Sequence, residues 1–234
     1  MSGKLARCAL GVALLSFGVA LAAAVPRAAP QGPASFSFGN PFDTVELRNY
    51  WNAMAGAGEV YEISPNGGKK YSGEFDILSA ESIEGMEAYW LQVSVDSPKP
   101  GAKIYVKTLV IPKTYEARKV ILQLPGMAAM DVPVAAATNS PDADPRKGSK
   151  RLGTETITVP GGTFECEHWR ESNGTEAWLS SKIGPLTAVK ITEPGKTWLL
   201  TKTINHPKDA VTGPVKDFDP DAIKRFTERQ NAQH

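Results

Sequence analysis

The sequence is poor in the residues that build disulfide frameworks and metal sites. Its 234 residues include two cysteines, Cys8 and Cys166, and three histidines. Cys8 lies in an N-terminal segment that we expect to be removed, which leaves one cysteine and excludes an internal disulfide. Because a structural zinc site needs about four ligands and a catalytic site about three, we predict that the protein holds no metal and no other cofactor.

The sequence also lacks an excess of charge of either sign. It has 26 basic and 25 acidic residues, and without residues 1–24, which hold two basic residues, the balance becomes 24 to 25. Proteins that bind nucleic acid carry a basic patch or stripe as their electrostatic footprint. We therefore expect no nucleic-acid partner, and no run of lysine and arginine indicates an anionic membrane surface.

A long apolar run occurs once, at the N-terminus. Lys4 and Arg7 are followed by CALGVALLSFGVALAAAV and then by small residues, which is the pattern of a secretory signal peptide. We predict a signal peptide over residues 1–24 and a periplasmic or secreted protein. The alternative is an uncleaved anchor, because the run is of borderline spanning length. We expect no transmembrane segment in the mature chain.

The rest of the chain divides into a linker and one domain. Residues 25–42 are rich in proline, glycine, alanine and serine, and we expect a disordered linker there. Residues 43–234 are expected to form a single β-rich domain. Its first element is a helix that starts at Asp43, because apolar residues recur at helical spacing: Leu47, Tyr50, Trp51 and Met54.

After this helix the pattern changes to short alternating segments separated by turn signals. Five of these segments precede a long loop at residues 125–151, and five follow it between the separators PGG, SNG, KIGP and EPG. Short separators favour antiparallel neighbours. The predicted fold is mainly β (α+β): a curled antiparallel meander sheet or incomplete β-barrel, with the N-terminal helix and a short C-terminal helix that starts after Asp219.

Several of these segments resemble exported bacterial β-rich proteins of unknown function. They are GAGEVYEI, EAYWLQV, VKTLVI…KVILQLPGM and TITVPGGTFECEHWR…TEAWLSSKIGPLTAVKI, within residues 55–205. The pattern is similar to the superfamily of periplasmic lipoprotein-localisation factors. The resemblance implies an incomplete antiparallel barrel over a helix, and a concave apolar face like the one that holds acyl chains in those carriers. It implies no catalytic residues.

The stretch TFECEHWR, residues 163–170, is the strongest candidate for chemistry. Alternation along a strand places Phe164, Cys166 and His168 on one face. A thiol beside an imidazole suits a metal site or a cysteine nucleophile, but the further ligands, the base and the oxyanion donors that these sites need are not visible. The alternative is a buried cysteine beside a histidine at the edge of the core.

The following Asn173–Gly174 predicts a two-residue hairpin turn. That turn would place Trp169 opposite Trp178 on the other face of the strand. In the first half of the chain, Glu74 and Asp76 alternate with apolar residues, and we interpret them as a solvated strand face.

Aromatic and methionine side chains supply the candidates for ligand binding. A curved sheet can enclose an apolar cavity, and the candidate lining residues are Trp90, Phe164, Trp169, Trp178 and Trp198. The flexible apolar stretch of the long loop suggests a gate or docking loop, with Met127, Met130 and Val132 as candidates. The alternatives are that the aromatic residues fill the core and that the loop covers a sheet edge.

Three functions are compatible with these patterns. The first is a non-catalytic periplasmic protein that binds an apolar small molecule, such as a lipid or acyl chain, in a half-barrel. The second is a cell-envelope interaction or scaffold module with a filled barrel, whose protein partner docks on a sheet edge or on the Met127 loop. The third is an enzyme with a Cys166/His168 site, which the missing catalytic partners make the least favoured.

Overall fold

The computed structural model describes residues 50–97, 101–134 and 148–231. The predicted signal peptide, the linker and residues 43–49 of the predicted N-terminal helix lie outside these residues. The predicted helix does not continue to Met54, because Trp51 forms an antiparallel bridge with Leu186 and residues 52–54 are not helical. Within them no helix is both long and apolar enough to cross a membrane. The described part is mainly β, as predicted, with twelve strands and one C-terminal helix.

The strands come in two groups along the chain. The first group is β1 (Ala57–Pro65), β2 (Tyr71–Ile83), β3 (Met86–Asp96), β4 (Lys103–Ile111), β5 (Glu116–Gln123) and β6 (Met130–Val132). The second is β7 (Lys150–Val159), β8 (Gly162–Arg170), β9 (Glu176–Leu179), β10 (Ala188–Glu193), β11 (Lys196–Asn205) and β12 (Lys216–Asp217), followed by helix α1 (Pro220–Asn231).

All twelve strands belong to one open sheet with the order β12-β6-β5-β4-β3-β2-β1-β11-β10-β9-β8-β7. Two antiparallel meanders, β1 to β6 and β7 to β11, lie side by side and are joined where β1 pairs with β11. The end pair β12–β6 is parallel, a departure from the predicted all-antiparallel sheet. The turn between β7 and β8 reaches back across the sheet, where the Gly161 amide donates to the Leu200 carbonyl oxygen at 3.0 Å.

The two faces of the sheet are occupied differently. One, which we call the core face, carries the main apolar cluster around Tyr61, Phe75 and Trp198, whose ring centroids lie 5.8–6.2 Å apart. A second cluster on the same face covers β4 to β6 and is closed by α1 through Ala222. Alternating residues of the central strands point to the opposite, outer face.

Helix α1 begins where the sequence predicts. The Asp219 carboxylate accepts a hydrogen bond from the Ala222 amide at 3.0 Å, which satisfies one of the free N–H groups of the first turn. Pro220 follows at the first helical position, where its missing N–H costs nothing.

The predicted gate loop is wrong for part of its length. Met130 and Val132 are 3% and 1% exposed and lie in strand β6, which pairs with β5 under α1. Met127 is half-buried against the same cluster. This segment therefore packs along the sheet, as the alternative interpretation had it, because its apolar side chains find the second cluster. Residues 135–147 of the predicted long loop lie outside the described residues.

Candidate functional site at the β7 edge

Strand β7 forms one end of the sheet and leaves one of its sides unpaired among the described residues. It pairs with β8 on the other side over its whole length, from Lys150 to Val159. Most of its side chains are exposed, and the rest are half-buried. The opposite end of the sheet offers little edge for pairing, because its last strand, β12, is two residues long. Edge strands present free N–H and C=O groups, so β7 is the open edge of the sheet that the described residues form.

A bulge limits the regular part of this edge. The register of β7 against β8 shifts between Arg151 and Gly153, so that Leu152 is the extra residue and is 38% exposed. A bulge bends the strand and interrupts the ladder locally. The regular stretch therefore runs over residues 153–159, which we call the β7 edge.

The turn between β8 and β9 has one residue more than predicted. Glu171 donates its amide to the Thr175 carbonyl oxygen at 2.8 Å, which leaves three residues in the loop. Gly174 takes the left-handed conformation with φ of 87°, and Asn173 accepts from the Thr175 amide at 2.8 Å. Three-residue hairpin loops use glycine in this way.

The extra residue moves every cross-strand pair to a new partner. Trp178 lies opposite His168, and Trp169 lies opposite Ala177, so the predicted pairing of Trp169 with Trp178 is wrong. A one-residue slip exchanges the side chains between the two faces of the sheet. The face shared by Phe164, Cys166 and His168 is therefore also the face of Trp178.

His168 stands at the centre of a polar cluster that joins three strands. Its Nδ1 lies 2.9 Å from Glu155 Oε1 of β7, and its Nε2 lies 2.9 Å from Glu176 Oε2 of β9. The imidazole stacks on Trp178 with ring centroids 4.2 Å apart. The Trp178 indole donates to the same Glu155 oxygen at 2.6 Å, and Lys190 Nζ lies 4.2 Å from the Trp178 ring centroid.

Each imidazole nitrogen of His168 faces a carboxylate oxygen, so the ring bridges Glu155 and Glu176. Hydrogen bonds from Arg170, and then from His168, hold the pKa of the Glu176 carboxyl below its usual range. Together with the bond from Trp178, these contacts fix Glu155, in the middle of the β7 edge, to β8 and β9.

The geometry does not make Cys166 a nucleophile. The thiol is buried and lies 3.6 Å from the Phe164 carbonyl oxygen. Burial, and secondarily the charge of Glu155, raises the pKa of the Cys166 thiol to about 11. Reactive cysteines have lowered pKa values and partial exposure. Within the described ranges, no three histidine, cysteine or acidic side chains are placed to hold a metal ion.

Two buried carboxyl groups were not found from the sequence. Glu59 in β1 is fully buried on the core face, and its Oε2 accepts from the Leu186 amide at 2.8 Å and lies 3.0 Å from the Tyr61 hydroxyl. Burial raises the pKa of Glu59 to about 8. In the sequence, alternation places Glu59 on the same face as Tyr61 and Ile63 and places Glu62 on the other face, but it does not show that the Glu59 carboxyl is fully buried.

Asp76 on the outer face is the second, and the predicted solvated strand face is wrong for this residue. Its side chain is 1% exposed, with Oδ2 accepting from the Gln92 side chain at 3.1 Å. Burial, and then the neighbouring charge of Glu74, raises the pKa of Asp76 to about 7. Glu74 itself is half-buried and bonded to Lys103 at 2.8 Å.

Four of the five aromatic candidates belong to the main apolar cluster or pack against it. Trp178 and Trp198 are buried members of that cluster, and Phe164 and Trp169 are partly buried against it. Trp90 lies in a separate small cluster with Leu109. Since Trp90 pairs with Leu109 and its neighbour Leu91 belongs to the core-face cluster, Trp90 points to the outer face.

Comparisons with known proteins add little. No protein-family model matches the chain, and no curated protein matches it. Among solved structures it is similar to a candidate lipoprotein from Parabacteroides distasonis, at 14% identity and a TM-score of 0.36 over 65% of this chain and 97% of that one. It is also similar to a candidate exported protein with a YmcC-like fold from Bacteroides fragilis, at 12% identity and a TM-score of 0.34 over 66% of this chain and 98% of that one. Scores this low support no conclusion about fold or function.

Proposed function

We propose that this protein is an exported, non-enzymatic interaction module that binds a partner protein by adding an extended partner strand to the β7 edge. The observation that carries the proposal is a regular stretch of seven residues, 153–159, four of them exposed and none buried, at the open end of the described sheet. The proposal for its compartment rests on the signal-peptide pattern of residues 1–24.

The chemistry of this stretch suits strand addition. Its exposed residues include Thr154, Thr156 and Thr158, and β-branched side chains favour extended backbone. Alternate residues of an edge strand direct both their N–H and C=O outward, so a partner strand would gain about six to eight hydrogen bonds. At a net value of about 0.5–1.5 kcal/mol each, these bonds supply affinity, and the side chains supply specificity.

The polar cluster around His168 supports the same proposal. By holding Glu155 from two strands, it keeps the middle of the β7 edge in place before a partner arrives. A preorganised edge avoids part of the ordering cost of binding. The buried, poorly acidic thiol of Cys166 favours a structural role for this face over catalysis.

The test is a titration of the isotope-labelled protein with a lysine-flanked peptide of alternating threonine and valine. We expect NMR shift changes and slowed amide exchange within residues 153–159, and no response to a matched peptide in which every valine is proline, because proline cannot donate to a ladder. The Thr156→Pro variant should respond more weakly. Shift changes confined to α1 or β6, or an equal response to the proline peptide, would contradict the proposal.

Binding of an apolar molecule on the core face is a second candidate, favoured by a different observation. Three buried polar atoms on that face have no hydrogen-bond partner among the described residues: Glu59 Oε1, Thr108 Oγ1 and Trp198 Nε1. Buried polar atoms are nearly always bonded to protein, water or ligand. A lipid with a hydrogen-bonding head group could satisfy some of them.

Native mass spectrometry of freshly purified protein separates the two candidates. Co-purifying lipid, with binding of a fluorescent fatty acid, would support the second. If neither co-purifying lipid nor fatty-acid binding is seen while the peptide titration succeeds, the results favour the interaction module and exclude the lipid-binding candidate.

A further inference from the structure

The segment between β11 and β12, residues 206–215, crosses the outer face of the sheet, and we call it the strap. It starts beside β1, where the His206 amide donates to the Gly56 carbonyl oxygen at 2.7 Å. It ends beside β6, where the Lys216 amide donates to the Ala129 carbonyl oxygen at 2.8 Å. Between these points it passes over β2, β3, β4 and β5, in the order in which those strands lie in the sheet.

Two glutamine side chains hold the main chain of the strap. Gln92 of β3 accepts from the Ala210 amide at 2.8 Å and donates to the Lys208 carbonyl oxygen at 3.2 Å. Gln123 of β5 makes the same pair of contacts with Thr212, at 3.2 and 3.3 Å. Each amide thus satisfies one donor and one acceptor of an extended chain, much as a neighbouring strand would.

Apolar burial contributes little to this attachment. No side chain of residues 206–215 is buried, and a further contact with the sheet is the ion pair between Lys107 and Asp209. Segments with few buried apolar contacts open at low free-energy cost. The strap is therefore held by a small number of polar contacts that a change of charge beneath it can alter.

Asp76 lies directly under the path of the strap. It pairs across the sheet with Gly58 on one side and with Gln92 on the other. A methyl group added at Gly58 would lie 2.2 Å from Asp76 Oδ1. The Asp76 carboxyl is therefore packed closely against the main chain of β1 at Gly58. The Gln92 amide donates both to Asp76 and to the strap carbonyl of Lys208, and Asp76 Oδ1 is buried with no partner in the described residues.

We propose that the strap is a pH-dependent latch, which closes over neutral Asp76 and opens when that carboxyl ionises and takes up water. An ionised carboxylate with a buried, unbonded oxygen is costly, and hydration relieves the cost. Water reaches Asp76 most directly if the strap and the Gln92 side chain move away, since β1 and β3 are fixed by their ladders.

The direction of the pH effect follows from linkage. In the closed state burial raises the pKa of Asp76 to about 7, whereas a hydrated aspartate has a value near 3.9. The closed state therefore binds the extra proton, so the strap is most firmly closed below about pH 4 and loosens as pH rises to about 7. Above that pH both states are ionised and the opening equilibrium no longer changes.

The other charged groups around Asp76 modify this effect without reversing it. Glu74, on the same strand and face, raises the pKa of Asp76, and Lys103 of β4 lowers it by a smaller amount. Lys107 of β4 faces the strap and pairs with Asp209, and the strap itself carries two further exposed side chains that can be charged, His206 and Lys208. The paired neighbours on β1 and β3 are Gly58 and Gln92, which carry no charge.

Hydrogen–deuterium exchange of the Ala210 and Thr212 amides tests the latch. After correction for intrinsic exchange, we expect the opening equilibrium constant of the natural protein to rise at least tenfold between pH 5 and pH 7.5. Between the pKa values of the open and closed states, each pH unit can raise that constant by up to a factor of ten. In Asp76→Asn, which keeps the shape and stays neutral, the change should be less than twofold.

Asp209→Asn is the matched control, because it removes the ion pair and leaves Asp76 intact. It should raise opening at both pH values by a similar factor and keep the pH dependence. An unchanged pH dependence in Asp76→Asn would overturn the latch, as would equal exchange of the natural protein at the two pH values. If Asp76→Asn does not fold, NMR of the Asp76 carboxyl carbon in the natural protein replaces it as the test. Titration of that carbon near pH 4, outside the pH range in which exchange of the strap amides changes, would overturn the latch.

Discussion

Replacing Glu59 by glutamine removes the most deeply buried ionisable carboxyl of the described core. With a pKa of about 8 in the folded protein and 4.5 as its ordinary value, this group disfavours folding by about 4 kcal/mol at pH 7.5 and by about 1 kcal/mol at pH 5. The folded state binds the extra proton, so its stability is greatest below pH 4.5 and falls as pH rises to 8.

The hydrogen bonds explain why the neutral form fits. The Tyr61 hydroxyl lies 2.6 Å from the Ala188 carbonyl oxygen and 3.0 Å from Glu59 Oε2, and it has one hydrogen for both. A protonated Glu59 can donate to Tyr61, which frees the Tyr61 hydrogen for Ala188. An ionised Glu59 competes with Ala188 for that hydrogen.

Urea unfolding at pH 5 and pH 7.5 measures the effect. Between pH 5 and pH 7.5, the free energy of unfolding of the natural protein should fall by about 3 kcal/mol more than that of Glu59→Gln. Glu62→Gln, a half-exposed position on the opposite face of the same strand, should follow the natural protein. Parallel pH profiles for Glu59→Gln and the natural protein would refute the assignment of a neutral buried carboxyl.

Three further predictions concern the second meander. The Cys166 thiol should not react with a thiol reagent in the native protein at pH 7.5 and should react after unfolding, because the thiol is buried and its pKa is raised to about 11; rapid native labelling would contradict this. Gly174→Ala should lower the free energy of unfolding by about 1 kcal/mol, since Gly174 has a φ of 87°, whereas Gly153→Ala in the open edge should be nearly neutral in thermal unfolding. His168→Ala should cost about 1–2 kcal/mol and change Trp178 fluorescence, because it removes two hydrogen bonds and a ring stack; unchanged fluorescence would argue against the stack.

Local patterns predicted the elements of the fold well. Glycine and proline turns separate the strands where expected, and Asp219 caps α1 because that contact is made within three residues. The hairpin at Asn173–Gly174 shows the limit. Both two-residue and three-residue loops use a glycine in the left-handed region, so the dipeptide predicts a hairpin without fixing its register, and the register decided which residues meet His168.

The missed carboxyl groups have a different cause. Alternation correctly placed Glu74 and Asp76 on one face, but burial of Asp76 depends on a strap that arrives from more than 120 residues further along the chain. Glu59 is buried by contacts with Leu186 and by the neighbouring strands. The sequence around Asp76 does not indicate the strap, and the sequence around Glu59 places its side chain on the apolar face of β1 without indicating the contact with Leu186.

The central claim is that a partner adds a strand to the β7 edge, and site-specific photocrosslinking in the native cell tests it most directly. A photoreactive residue at Thr154, Thr156 or Thr158 should form an adduct with one protein. The same residue at Ser82, an exposed position of β2 away from the edge, should not. Equal adducts at Ser82 and the edge, or lipid adducts from the half-buried core-face position Tyr71 with none from the edge, would contradict strand addition at β7.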